Sequence, residues 1–233
     1  MKFFELKRTY KIGDIPIPSM NGETVNGFEE FFRNGCTTKS FYKNNPSFNY
    51  LTPMYRGENK VEPDIIADYH AWVGKEPRRG YFRPVSKKLK ELLSNFNLGE
   101  HRFYPAQVLL KGILHPYYVF HLLYNSFTEY IDFSETVFNN LNSFKKLDAG
   151  KLERMKFDSF EEMQAYSDLN WNYNWNYDRL VMKSNFRELD YCYMLNIDGD
   201  LISERLKEKI EQDGITGIKI EQLSIPIEFS DEV

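Results

Sequence analysis

The stretch LISERLKEKIEQDGITGIKIEQL, residues 201–223, decides how the chain is read. Ile202, Leu206 and Ile210 recur at the spacing that puts side chains on one face of a helix. Ser203 stands where an N-cap is needed, because its hydroxyl can accept a bond from an orphan N–H of the first turn. Charged residues, Glu204 to Glu211, fill the opposite face. Gly214 then ends the helix, since the left-handed geometry after a C-terminus is cheapest for glycine. IKIEQL alternates and predicts a strand. The unit is strand, Ser-capped amphipathic helix, glycine stop, strand.

The same phrase occurs earlier as PVSKKLKELLSNFNLGEHRFYPAQVLL, residues 84–110. Ser86 aligns with Ser203, Leu89 with Leu206, Lys90 with Lys207, Glu91 with Glu208 and Leu93 with Ile210, all at one offset. Asn97, the second choice for a left-handed stop, is expected to replace the glycine. Two related lobes, each covering a sheet with this helix, explain the repetition. The plainer alternative is one continuous domain, because capped helices followed by strands are common. The expected fold class is α+β, with mostly antiparallel or mixed sheets and amphipathic helices packed on one face. A lobe over residues 1–145, with long loops at 13–80, precedes a lobe over 146–233 that ends in the helix-Gly-strand signature.

Composition narrows the function classes. The chain has 233 residues, enough for one large domain or two small ones. Aromatic residues make up 16%, which favours sheets. The net charge of −4 argues against general binding to nucleic acid or anionic membrane. Cys36 and Cys192 are too few for a disulfide framework. MKFFELKRTYK has no apolar core or cleavage site of a signal peptide. VLLKGILHPYYVFHLLY is too short and too polar to span a bilayer. A cytoplasmic protein with reduced thiols is expected.

KFFELKRTY predicts an opening strand. Residues 13–80 are rich in Pro, Gly and Asn, with one helical turn expected at GFEEFFRNG. Strands are expected near 102–111 and 116–125, the second one buried, and a short helix at Ser134. Ser159 and Glu162 form a capping box ahead of a helix over EMQAYSDL. The Asp-Gly pair in YCYMLNIDGDLIS marks a turn or hairpin. In WNYNWNYDRL, Trp171, Tyr173, Trp175 and Tyr177 share one strand face, and the apolar pattern changes register after Asp178, as a bulge would cause. That aromatic face either packs on a helix or stands exposed as anchors for a protein partner.

No residue is assigned to catalysis, a cofactor or a metal. His70, His101, His115 and His121 lack metal-ligand spacing. IDGDLIS lacks the ligand order of a calcium loop. Phosphate-binding glycine motifs and nucleophile elbows are absent. Cys36 in RNGCTTKS, the Asp132/Glu135 pair, and Arg78 with Arg79 read as polar surface before they read as a site.

The C-terminal LISERLKEKIEQDGITGIKI resembles the closing signature of a group of bacterial immunity proteins, in particular the families called immunity protein 43 and immunity protein 11. The signature residues are Ser203, Leu206, Gly214, Ile215, Thr216 and Gly217, with Ser86 and Leu89 in the earlier copy. MKFFELK, VSKKLKELLSNFNLGEHRFYPAQV and YYVFHLLYNSFTEYIDFSETVF resemble that group as well, most clearly over 83–138 and 189–222. The resemblance implies a cytoplasmic antidote of a polymorphic toxin system, one that binds and neutralises a cognate toxin domain by occlusion. It implies no catalytic motif, and its signature residues are structural. The alternative expectation is an enzyme or nucleotide-binding protein of unknown reaction, with its site in the 13–80 loops.

Overall fold

The computed structural model describes residues 1–21, 48–54, 65–73, 82–140, 154–169, 175–193 and 199–230. The expected turn at GFEEFFRNG, together with Cys36, Arg78 and Arg79, lies outside the described residues. In chain order the strands begin with β1 (Phe3–Arg8), the small hairpin β2 (Lys11–Ile12) and β3 (Ile15–Pro16), β4 (Ser19–Asn21), β5 (Phe48–Met54) and β6 (Trp72–Val73). β7 (Phe82–Ser86) leads into helix α1 (Lys87–Leu93), then β8 (His101–Leu110) and β9 (Ile113–Leu122). β10 (Val137–Asn140), β11 (Arg154–Met155), α2 (Phe160–Leu169) and β12 (Trp175–Met182) follow. The chain closes with β13 (Tyr191–Tyr193), β14 (Asp200–Ser203), α3 (Glu204–Gln212), β15 (Ile218–Gln222) and β16 (Ile227–Phe229).

The fold is α+β with antiparallel and mixed sheets, as the sequence predicts. One sheet has the order β13-β14-β1-β15 and is antiparallel throughout. A larger one runs β6-β4-β5-β8-β9-β7, with parallel pairs at β4/β6 and β5/β8. A third runs β11-β10-β12-β16. The first strand of the chain therefore lies inside a sheet built otherwise from its last third. A boundary at 145/146 cannot separate two lobes, because β1 hydrogen-bonds to both β14 and β15.

The repeat is real at the level of strand register. β7 pairs with β9 so that Ser86 faces Tyr117 and Arg83 faces Phe120. β14 pairs with β1 so that Ser203 faces Phe3 and Asp200 faces Leu6. On the far side of each central strand, Leu122 faces His101 and Arg8 faces Ile218. These pairs match under the same offset that aligns the two serines, with β9 and β1 as equivalents. On the near side, a bridge joins Tyr69 to Val85, and Tyr191 faces Ile202. The two segments thus have the same pairing, but the second takes its central strand from the N-terminus.

Both helices do what their stripes require. α1 lies on β7 and β9, and α3 lies on β14 and β1. Val85, Leu89, Ile202 and Leu206 are fully buried in one core, with Leu6, Phe120 and Tyr191. That core is the contact between the two units. Burying each such side chain contributes about 1.5–3 kcal/mol. Separate cores back the outer faces: Tyr104, Val108 and Val119 behind the larger sheet, and Phe138, Leu180 and Phe186 behind the other.

Local chemistry mostly follows the sequence. Gly214 is left-handed, its N–H bonds Glu211 O, and Ile215 N–H bonds Ile210 O, which is a Schellman stop with its apolar Ile210/Ile215 contact. Asn97 does not play that part. α1 ends at Leu93, Ser94 N–H closes it, and Asn97 is free of left-handed strain because Asp190 holds its amide. Lys111 and Gly112, both at positive φ, make the two-residue turn between β8 and β9. The near end of β9 is exposed, so the buried strand expected there is buried only from Tyr117 onward. Ser134 caps no helix; its hydroxyl bonds Asp132 in a turn before β10. Ser159 caps α2 by accepting from Glu162 N–H at 3.1 Å. The predicted bulge is Asp178 itself, since Phe138 faces Tyr177 while Val137 faces Arg179.

Candidate functional site

Two aspartates join the units, each in the same way. Ser86 Oγ donates to Asp68 Oδ1 at 2.6 Å while accepting from Leu89 N–H at 3.1 Å. Ser203 Oγ donates to Asp190 Oδ1 at 2.5 Å while accepting from Leu206 N–H at 3.2 Å. Each carboxylate has a second oxygen to spend, and spends it on the other unit's helix exit. Asp68 Oδ2 accepts from the Thr216 amide and hydroxyl, both at 2.9 Å. Asp190 Oδ2 accepts from the Asn97 amide at 2.9 Å. The clasp is therefore reciprocal: the residue that orients one helix's cap grips the loop after the other helix. Arg205 adds a charge-assisted contact to Asp190.

Between the clasps lies a buried polar cluster. Tyr69 and Tyr191 both donate to Asp200 Oδ2, at 3.2 and 2.6 Å. Arg83 Nε donates to the Tyr69 hydroxyl at 2.6 Å, and its Nη2 is 3.4 Å from Asp200 Oδ1. Burial above all holds both tyrosines protonated well above their usual range; the Asp200 charge adds to it, and Arg83 pulls both the other way. Burial works most strongly against the Arg83 charge, but Asp200 together with Tyr69 and Tyr191 outweighs it. The cluster is one neutralised, hydrogen-bonded group and holds no free base.

His70 follows Tyr69 and is equally enclosed. Its Nδ1 is 2.8 Å from Pro18 O, which can only accept, so Nδ1 carries the proton. Nε2 then accepts from Ala67 N–H at 2.9 Å. Burial pulls its pKa down to about 4. The Tyr117 hydroxyl donates to Ala67 O at 2.5 Å, fixing the same segment.

The residues singled out in the sequence are not gathered at a single place. Ser86, Leu89, Ser203, Leu206, Gly214 and Gly217 form the caps, the shared core and the exit of α3. Trp171 and Tyr173 lie outside the described residues, and Trp175 opens β12 opposite Asn140. Tyr177 is a correction: it is 7% exposed, 5.5 Å from the Phe138 ring, and offers no partner surface. Its face of β12 is the packed one. Cys192 is buried, and burial pushes its thiol up, out of nucleophile range. His121 lies tilted against the Phe82 ring, and His101 bonds Gly99 O. Asp132 takes the Ser134 hydroxyl, whereas Glu135 reaches Arg179, so they are not a carboxylate pair. Among the described residues no group of three or more His, Cys, Asp and Glu could hold a metal ion. No helix among them is long and apolar enough to cross a membrane.

Two surface features remain. The β8/β9 turn presents Leu109, Ile113 and Leu114 at 38%, 61% and 43% exposure. Leu109 and Leu114 face each other across the hairpin, so they form one apolar tip. A pocket of about 290 Å³ opens beside the exit of α1, with Glu100, Glu129 and Tyr130 in its wall.

Asp68, Tyr69, Arg83, Asp190 and Asp200 were not foreseen. The signal for three of them was present: an Asp-Tyr dipeptide precedes each Ser-capped helix, at Asp68-Tyr69 and at Asp190-Tyr191. No family model matches the chain, and no curated protein matches it.

Proposed function

We propose that the chain is a cytoplasmic immunity protein that binds a cognate bacterial toxin domain and neutralises it by occlusion, without a reaction of its own. The resemblance of its two helix signatures to the immunity-protein group supports this reading. The observation that carries it is the hairpin tip. A two-residue turn holds Leu109, Ile113 and Leu114 outward on a strand pair whose other half is core. Apolar anchors held in a fixed geometry lose little entropy on binding, which is what a high-affinity protein contact needs. The buried titratable groups Tyr69, Arg83 and Tyr191 are engaged in holding the halves together. The net charge of −4 favours encounter with a basic partner.

Co-expression tests the proposal. The toxic domain encoded beside this chain is expressed with and without it. Rescue of growth and recovery of a complex are expected. Leu114→Asp together with Ile113→Asp should weaken the complex while leaving the melting profile near wild type. No rescue and no complex would remove the antidote reading.

A further inference from the structure

We infer that the chain is two fused copies of one unit that pair about a pseudo-two-fold axis, and that Arg83 and Asp200 are the charge key that makes the unlike halves choose each other. Arg83 lies three residues before Ser86 and Asp200 three before Ser203. They occupy the same place in the strand register, opposite Phe120 and Leu6, the equivalent residues of the central strands. They also touch each other, at 3.4 Å. A residue that contacts its own equivalent marks a two-fold axis, because only there does a position meet its copy.

In a pair of identical units this position would face itself. Two carboxylates or two guanidinium groups in one buried site repel each other. Unlike occupants turn the repulsion into attraction, and they penalise pairing of either half with a second copy of itself. The tyrosines fit the same symmetry. Tyr69 and Tyr191 are equivalents, both reach Asp200, and the guanidinium takes the hydroxyl of its own unit. Exchanging the two charges should therefore rebuild the cluster in mirror order. The carboxylate at position 83 would accept from both tyrosines, and the guanidinium at position 200 would donate to Tyr191.

The test is the full-length charge exchange. Arg83→Asp, Asp200→Arg and the double variant are unfolded in urea, and the double variant is crystallised. Each single change should lower the folded-to-unfolded ratio by on the order of a hundredfold or more, or prevent folding, because it buries like charges. The double variant should recover to within about tenfold of the wild type, with the new guanidinium on the Tyr191 hydroxyl. Single variants as stable as the wild type would overturn the inference. So would a double variant no better than its weaker parent, or a guanidinium at position 200 bonded elsewhere than Tyr191.

Discussion

Asp68 and Thr216 are joined by three hydrogen bonds of 2.9–3.0 Å across most of the chain's length. The Thr216 hydroxyl accepts from the Asp68 amide and donates to its carboxylate, while the Thr216 amide donates to the same oxygen. Thr216 lies just past the glycine stop of α3, and Asp68 orients the cap of α1. The halves are thereby tied end to start, and Asp190 repeats the tie in the other direction.

The caps should not cost the same. Ser203 is fully buried, so Ser203→Ala loses the Leu206 bond and leaves Asp190 short of a donor in a dry site. A loss of about 2 kcal/mol is expected, the upper end for a cap. Ser86 is partly exposed, so water can replace its hydroxyl, and Ser86→Ala should cost about 1 kcal/mol. Urea unfolding of both variants checks the order.

Two glycines near the end of α3 should behave differently. A Cβ at Gly217 would lie 2.1 Å from Tyr69 O, in a backbone at φ +86. That oxygen belongs to the segment carrying the clasp and cannot move alone, so Gly217→Ala should cost about 3 kcal/mol or more, or stop folding. Gly214, at φ +60, faces open space. Gly214→Ala should cost only about 1–2 kcal/mol, the price of left-handed geometry for an L residue. Thermal melts of the two variants distinguish them.

Leu89→Ala and Leu206→Ala should each destabilise by about 2–5 kcal/mol, because both side chains are buried in the core between the units. The double variant should depart from the sum, since both side chains belong to the same core. A silent Leu206→Ala would mean that α3 packs on another face.

Acid should weaken the fold through His70. Its folded pKa, about 4, lies below the unfolded value of about 6.5, so the unfolded chain binds the extra proton first. The contribution is fully present above about pH 6.5 and is lost as the pH falls toward about 4, amounting to about 3 kcal/mol. His70→Gln should flatten the stability profile over that window, while lowering stability at neutral pH.

The parts of the fold that are local in origin were legible in the sequence. Caps at Ser86 and Ser203, the Leu89 and Leu206 stripes, the Gly214 stop and the Asp178 bulge are each set by a few neighbouring residues. The place of β1 was not, because nothing in KFFELKRTY encodes a partner two hundred residues away. Asn97 misled for the same reason: its amide is satisfied by Asp190, a tertiary partner, so no left-handed turn was needed. Alternation showed that Tyr177 shares a face with its aromatic neighbours but could not say which face was core. The segment around Asp68 and Tyr69 read as loop because it has almost no strand of its own, only a single bridge to Val85. Of the candidate site, the hairpin tip was hidden inside a run that composition marks as buried.

Hydrogen exchange of Asp68→Ala and Asp190→Ala tests the reciprocal clasp most directly. Alanine leaves no acceptor for the Ser86 hydroxyl or the Thr216 amide, so Asp68→Ala should speed exchange at Leu89 in one unit and at Thr216 in the other. Asp190→Ala should do the same at Leu206 and Asn97. Faster exchange confined in each variant to the unit that carries the substitution would contradict a body held together in this way.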